Sequence, residues 1–451
     1  MPEVMAESPS DASAVPRAVW SSTALLALGR SWSALCGFFC LALLTRSDLP
    51  WPPLAGAEFG QLTYYLALYI LLDGLADFGT SSAVQQLGAS DLRSLASAVR
   101  AGRRVRRVAA LSGWALISLA AWLAGERELL WISAACLAPL TRAEELSTAI
   151  YHSQIRWRTP VLVRSAMASL RLFAFACLAA KGVDSMGPYL LAFAWSGALG
   201  NLLLHLAARR QLRARSSARG SIAWQALFAG ALPLAAVGLA QQAYFYGDNL
   251  ILRAMVSPLE LGHYNAAVKL LSLLLMASSF ATTSALPWLT RQHHAGYLGT
   301  ALTRLMWSLF PIACILLGAL WPWSAALLGA LFGTDFASAG PSLQWLLLGA
   351  GAIYLGAPLL TALVAASRSR DVLWVVLSGL GFNLLANPPL ISRMGSAGAG
   401  LATFLTELLV ALACYRCLAR AGCRPTLRWG ALASGPLLFL LAALLSSALG
   451  A

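Results

Sequence analysis

The sequence predicts an all-α membrane protein made of two six-helix bundles, with one extra hydrophobic helix at the C-terminal end. Three observations carry this. Of 451 residues, 59% are hydrophobic and only 11% charged, where a soluble chain has roughly a quarter of its residues charged. The apolar residues fall in blocks of about 20 or more, each long enough as a helix to cross a hydrocarbon core of about 30 Å. Finally, a segment of the first half recurs in the second half at a constant offset.

Residues 1–18 are polar, contain Ser and Pro, and have neither the basic start nor the cleavage site of a signal peptide. They are expected to form a cytoplasmic N-terminal tail. Spans are expected near 19–44, 58–78, 105–125, 129–149, 160–180 and 187–207, which makes 19–207 the N-terminal bundle. The Arg-rich stretch 208–221 reads as a cytoplasmic linker. Six more spans near 222–247, 262–287, 301–323, 339–365, 372–391 and 398–418 make 222–418 the C-terminal bundle, and the hydrophobic block 429–450 closes the chain, crossing fully or lying re-entrant.

The charges test that layout. With the N-terminus inside, 22 of the 32 Lys and Arg residues fall on the cytoplasmic side, 5 on the opposite side and 5 within spans. Lys and Arg are retained on the cytoplasmic side of membrane proteins. One missed or invented span before the last block would scramble the asymmetry. The net charge of +14 is therefore explained by topology, and no nucleic-acid partner is expected. The lipid bilayer is the expected surroundings.

The repeat gives the symmetry. Glu58, Gly60, Phe78, Thr80, Ser82 and Ala83 meet Glu260, Gly262, Phe280, Thr282, Ser284 and Ala285 at an offset of 202 without a gap. Six crossings separate the copies, so the halves share one orientation and are related by a pseudo-twofold axis along the membrane normal. Repeats of this kind are a signature of transporters with a central site near the midplane.

No P-loop, nucleotide motif or nucleophile–base arrangement is present, and every expected outer loop is short. An enzyme such as a membrane glycan polymerase is therefore not expected, nor is a cofactor. Five of the eight cysteines lie within apolar spans, and Cys414 and Cys417 form a lone C-x-x-C pair without the further ligands that zinc requires. No metal site is expected.

Several short motifs point to a family. Leu75-Ala76-Asp77-Phe78-Gly79 closes the second span, and Asp248-Asn249-Leu250-Ile251-Leu252 precedes Glu260-Leu261-Gly262-His263-Tyr264-Asn265. Leu331-Phe332-Gly333 with Phe336, Asn383 before Pro388-Pro389-Leu390-Ile391, and Gly398-Ala399-Gly400-Leu401-Ala402-Thr403 with Glu407 follow in order. Together they resemble the bacterial O-antigen and exopolysaccharide flippases. That family lies within the multidrug, oligosaccharidyl-lipid and polysaccharide exporter superfamily, which also holds the lipid II flippase. The resemblance runs from about residue 19 to 418. It implies a multidrug-exporter-like fold around a V-shaped cavity and alternating access. It further implies a polyprenyl-diphosphate-linked oligosaccharide as substrate, the bacterial inner membrane as location, and a glycan polymerase and other assembly proteins among the partners.

Charges inside the bilayer supply the candidate sites, because a basic residue at its centre costs about 2.5–3.5 kcal/mol on insertion scales. Arg30 and Arg171 each lie about 16 Å into their spans from the cytoplasmic side, and Lys269 about 10 Å from the outer side. Arg164, seven residues before Arg171 on the same helix face, is shallower. Two roles fit Arg30 and Arg171: binding the cargo diphosphate through forked guanidinium donors, or pairing with Asp73, Asp77, Glu144 or Glu145. Arg142 and Glu145 are three apart on one expected helix, which suits an internal ion pair. Glu407, about 13 Å into its span, suits proton or sodium coupling, or a buried partnership with Lys269. Asp248, also a coupling-ion candidate, is expected near the outer end of its span, as a helix-end or gate contact. A multidrug or cation exporter of the same superfamily is the rival function, and would favour an acidic, aromatic cavity.

Overall fold

The computed structural model describes residues 17–54, 56–77, 80, 84, 95–125, 127–138, 151, 158–215, 240, 242–425 and 436–445. Among them every regular element is helical. The N-terminal bundle contains α1 (Arg17–Thr45), α2 (Gly56–Asp77), α3 (Leu95–Ala124), α4 (Arg127–Cys136), α5 (Arg158–Ala180) and α6 (Met186–Arg215). The C-terminal bundle contains α7 (242–255), α8 (Pro258–His294), α9 (Leu298–Leu320), α10 (Ser324–Phe332), a 3-10 turn (Thr334–Ala339), α11 (Gly340–Ala365), α12 (Ser369–Met394) and α13 (Ser396–Arg420). A last apolar helix, α14 (Pro436–Leu445), follows. Eight of the described helices are long and apolar enough to cross a membrane.

Three boundaries differ from the sequence expectation. Helix α3 starts ten residues ahead of the expected span, so Arg100, Arg103, Arg104, Arg106 and Arg107 occupy its first turns rather than a loop. Arg104 and Arg107 are exposed, while Arg106 is buried and ion-paired with Asp77 of α2. Helix α6 continues through 208 to Arg215, so the expected linker begins as helix. Helix α7 runs eight residues past the expected end of its span at 247.

Within the N-terminal bundle α1 packs on α5, α5 on α6, and α4 on both α3 and α6. In the other bundle α11 is central, touching α8, α9 and α13, while α12 lies against α13. Between membrane helices lipid supplies no hydrophobic driving force, so close packing through small residues takes its place. The principal contact between the bundles, α2 on α8, is built this way. A β-carbon added to Gly60 would fall on the Pro258 carbonyl, and one added to Gly262 on the Gly56 carbonyl. Gly60 and Gly262 are one repeat apart, and so are Gly56 and Pro258. Farther along the same helices, Asn265 Nδ2 donates to Thr63 Oγ1 at 3.0 Å, again across 202 residues. Contacts between positions one repeat apart are what a pseudo-twofold axis through this interface would produce.

Local chemistry sets where α8 begins. Ser257 Oγ accepts the Glu260 N–H at 3.2 Å, with Pro258 at the first turn, the usual satisfaction of a free N-terminal donor. The Glu260 carboxylate reaches instead to the start of α13, accepting the Ser396 N–H at 2.6 Å, where the helix dipole favours a negative charge. At the same end of the molecule an aromatic cluster joins the bundles: Phe59 lies 5.3 Å from Phe336 and Phe38 lies 5.4 Å from Phe332, centroid to centroid. Arg46, ion-paired with Asp48, donates to the Ala330 carbonyl of the other bundle at 2.9 Å. At the far end of α2, the Gln242 side chain lies over Gly74, its Cγ 3.1 Å from where a β-carbon would sit. Helix α14 closes the side of the C-terminal bundle, with Phe439 against Trp321 at 6.4 Å.

Candidate functional site

The space between those two contacts is a central cavity of about 150 Å³. Its walls come from both bundles: Gly37 and Cys40 of α1, Thr63 of α2, Arg171 of α5, Phe193 of α6, Asn249 of α7, and Asn265 and Lys269 of α8. The Thr63–Asn265 hydrogen bond forms its end wall. Two of the expected charges thus share one site although they lie 98 residues apart in the chain.

Arg171 is held by packing and by a hydrogen bond. Its guanidinium carbon lies 4.1 Å from the centroid of the Phe193 ring, and Nε donates to Ser196 Oγ at 3.0 Å. The planar cation stacks on the ring face, which fixes the orientation of its terminal NH groups. Lys269 Nζ lies 3.8 Å from where a β-carbon of Gly37 would be, so the absence of a side chain at 37 gives the ammonium room. Lys269 makes no hydrogen bond or ion pair with any described residue, and no carboxylate lines this cavity among the described residues. Two cations, one from each bundle, converge on one small space.

The remaining expectations fare differently. Arg30 is exposed and does not line the central cavity; it precedes Cys40 by ten residues, about 15 Å along α1. Helices α1 and α5 run together there, with Gly29 against Val161 and Trp32 Nε1 donating to Ser169 at 3.0 Å, and Arg164 is half-buried on α5. Asp77, an expected partner for the deep arginines, pairs with Arg106 instead. Arg142, Glu144 and Glu145 lie outside the described residues. Glu407 does not pair with Lys269. It accepts a hydrogen bond from the Tyr244 hydroxyl and lines a different cavity, because helix rotation turns its side chain toward α7.

Asp248 is not at a helix end. Because α7 runs on to Met255, Asp248 lies about 10 Å inside it and is 7% exposed. Its carboxylate accepts hydrogen bonds from Tyr264 Oη at 3.1 Å, Thr403 Oγ1 at 3.1 Å and Asn387 Nδ2 at 2.9 Å. Asn387 Nδ2 also reaches Asn383 Oδ1 at 2.9 Å, and Asn387 Oδ1 is buried without a partner. Pro388 and Pro389 follow directly in α12 and carry no N–H, so the helix gives up two ladder bonds beside this cluster. Four helices contribute oxygen atoms to one buried point. Sequence reading found Asp248, Asn383 and Thr403 as motif residues but not their convergence. Tyr264 and Asn265 were likewise motif residues without a stated role, whereas Asn387, Tyr244 and Thr63 were missed; the 202-residue spacing of Thr63 and Asn265 was a signal for that pair.

The architecture defines a class: a multi-pass α-helical membrane protein with the fold shared by transporters of the MOP superfamily. Its solved neighbours include the lipid II flippase MurJ in an inward closed conformation, with a TM-score of 0.70 and 12% identity over 93% of this chain and 90% of that one. The Vibrio cholerae MATE transporter VcmN in its bent form gives 0.60 at 12% identity, covering 94% and 100%. A MOP superfamily transporter from Pyrococcus furiosus, described with a binding pocket of reversed polarity, gives 0.63 at 11%, covering 90% and 95%. These neighbours are transporters, not enzymes. Residues 129–293, from α4 through α8, match the family model described as polysaccharide biosynthesis protein. The sequence matches no curated protein.

Proposed function

We propose that this chain flips a polyprenyl-diphosphate-linked oligosaccharide across the bacterial inner membrane by alternating access, for O-antigen or exopolysaccharide assembly. The observation that carries the reading is the central cavity, where Arg171 and Lys269 converge from opposite bundles with no carboxylate among the described lining residues. A diphosphate offers negative oxygens to both cations at once, and a guanidinium pre-set by Phe193 and Ser196 offers it forked donors. The polysaccharide-biosynthesis family match supports the same cargo. Arg30 and Arg164, nearer the Arg17 and Arg158 ends of their helices, are assigned to the approach of the diphosphate from the cytoplasmic face. That orientation, with the N-terminus inside, rests on the distribution of Lys and Arg. The bundles, 19–207 and 222–418, are taken as the rocking units.

Coupling is assigned to the C-terminal bundle. Asp248 with the oxygen atoms of Asn383, Asn387 and Thr403 offers a sodium ion or a proton a buried carboxylate with several neutral oxygen neighbours, the ligand type that hard cations prefer. Glu407 is the second candidate.

An ion-coupled multidrug or cation exporter is the second reading, favoured by one observation: Glu407 and Tyr244 line a cavity with Phe245 and Met276, an acidic and aromatic lining suited to organic cations. A deletion strain separates the two. Lipid-linked oligosaccharide accumulating on the inner leaflet, with loss of surface glycan, supports the flippase. Unchanged surface glycan with altered tolerance to cationic dyes supports the exporter.

A further inference from the structure

A second cavity, of about 520 Å³, lies within the C-terminal bundle, inside the size range of about 300–1,000 Å³ usual for ligand pockets. Phe245 and Ser272 line both this cavity and the central one, so the two adjoin. Helix α8 carries the connection on one face: Lys269, Ser272, Met276 and Ser279 follow at spacings of three and four, spanning about 15 Å. That is the reach of a short glycan extending from a diphosphate held at Lys269.

The second cavity has the opposite chemistry from the first. No Lys or Arg lines it among the described residues. Its polar groups are the Glu407 carboxylate, 9% exposed, the Tyr244 hydroxyl that donates to it, and the hydroxyls of Ser272, Ser278, Ser279, Thr282 and Thr361. Thr282 and Thr361 already donate to helix carbonyls, those of Ser278 and Ala357, each at 2.8 Å, which leaves their oxygens as acceptors. Ser278 Oγ is different: it is buried, 1% exposed, and without a partner. A buried hydroxyl left unmatched is a destabilising feature that a bound polar group relieves. The lining is thus rich in acceptors, contains one carboxylate, and holds aromatic faces in Tyr244 and Phe245.

We infer that this cavity is the sugar subsite of the cargo and that it selects a neutral or amino sugar next to the diphosphate while rejecting an acidic one. The inference rests on the flippase reading above. Sugar hydroxyls and amide N–H groups donate to Glu407 and the serine oxygens, and an apolar sugar face stacks on the aromatic rings. A uronic acid instead sets its carboxylate against the Glu407 carboxyl, where like charges oppose binding.

Binding of two synthetic lipids to the purified full chain tests this by calorimetry: a short-chain prenyl diphosphate carrying N-acetylglucosamine, and the same lipid carrying glucuronic acid. The wild type is expected to prefer the first by at least about tenfold, the scale a like-charge contact supports. Glu407→Gln is expected to shrink that preference to below about threefold by removing the repulsion. Ser279→Val, which leaves the Tyr244–Glu407 pair intact, is expected to weaken the N-acetylglucosamine lipid selectively. Lys269→Ala is expected to weaken both lipids equally. Equal affinity of the wild type for the two lipids, or a preference unchanged in both Glu407→Gln and Ser279→Val, overturns the subsite; the flippase reading then survives if Lys269→Ala still weakens both. Failure of the wild type to bind either lipid overturns both readings.

Discussion

At the scale of single residues, the account turns on which buried charges meet. Arg171 and Lys269 were legible in the sequence, because a charge deep in an apolar block is costly enough to demand a role. Their convergence was not, since depth along a helix says nothing about rotation around it. The same gap explains Glu407, which faces Tyr244 rather than Lys269. Replacing Arg171 by Ala removes the forked donors and the stack on Phe193; transport is expected to fall by at least about tenfold with membrane protein level unchanged, the usual scale for losing a charge-assisted contact. Arg171→Lys keeps the charge without the fork and is expected to recover only part of the activity. Assays of glycan flipping against immunoblotted protein check both. Asp248→Ala strands the Tyr264 hydroxyl in a buried site, while Thr403 and Asn387 keep Ala399 and Asn383 as acceptors. At about 1–3 kcal/mol for a buried partner left unmatched, it is expected to lower the thermal unfolding midpoint in detergent clearly. Asp248→Asn keeps the volume, so its expected effect is chiefly loss of sodium or proton dependence, read by transport in imposed ion gradients.

Among elements, the α2–α8 contact decides how the bundles meet. Gly60 and Gly262 were visible as repeat matches, but only packing shows why a side chain is excluded. The effect of an added methyl changes sign with position. In an open helical position Gly→Ala stabilises by about 1 kcal/mol through propensity, and Gly113 of α3 has nothing within reach of a β-carbon. At Gly60 the added methyl meets the Pro258 carbonyl, and overpacking costs about 1–3 kcal/mol. Gly60→Ala is therefore expected to lower the unfolding midpoint and impair transport, while Gly113→Ala leaves transport intact and the midpoint equal or higher. An unchanged midpoint in Gly60→Ala would contradict the close contact. The Leu331-Phe332-Gly333 motif gains a cause at this scale too, since Phe332 and Phe336 pack into the first bundle against Phe38 and Phe59. The start of α3 was misjudged because hydropathy treats a charged helical turn and a charged loop alike; Arg106 is charged, helical and buried against Asp77. The overrun of α7 has a related origin, as Arg253 interrupts the apolar run without ending the helix.

For the whole molecule, bulk composition and the repeat sufficed for the fold class, because a chain with this little polar surface has few ways to satisfy its backbone outside spanning helices. The proposed cargo was legible only through family resemblance, since the two side chains assigned to it come together from different halves of the chain. The paired cations also imply a mechanism. Under the proposed function, a diphosphate bound between Arg171 and Lys269 contacts both bundles at once and draws them together around it, and its release on the other side lets them part. The most direct measurement is flipping of a fluorescent polyprenyl-diphosphate oligosaccharide by the purified chain in proteoliposomes, scored by accessibility to an external quencher, with wild type, Arg171→Ala and Lys269→Ala compared. Flipping by the wild type that drops at least about tenfold in each variant is the predicted result. Flipping at the wild-type rate in both variants, or none by the wild type in vesicles that export a cationic dye, would contradict it.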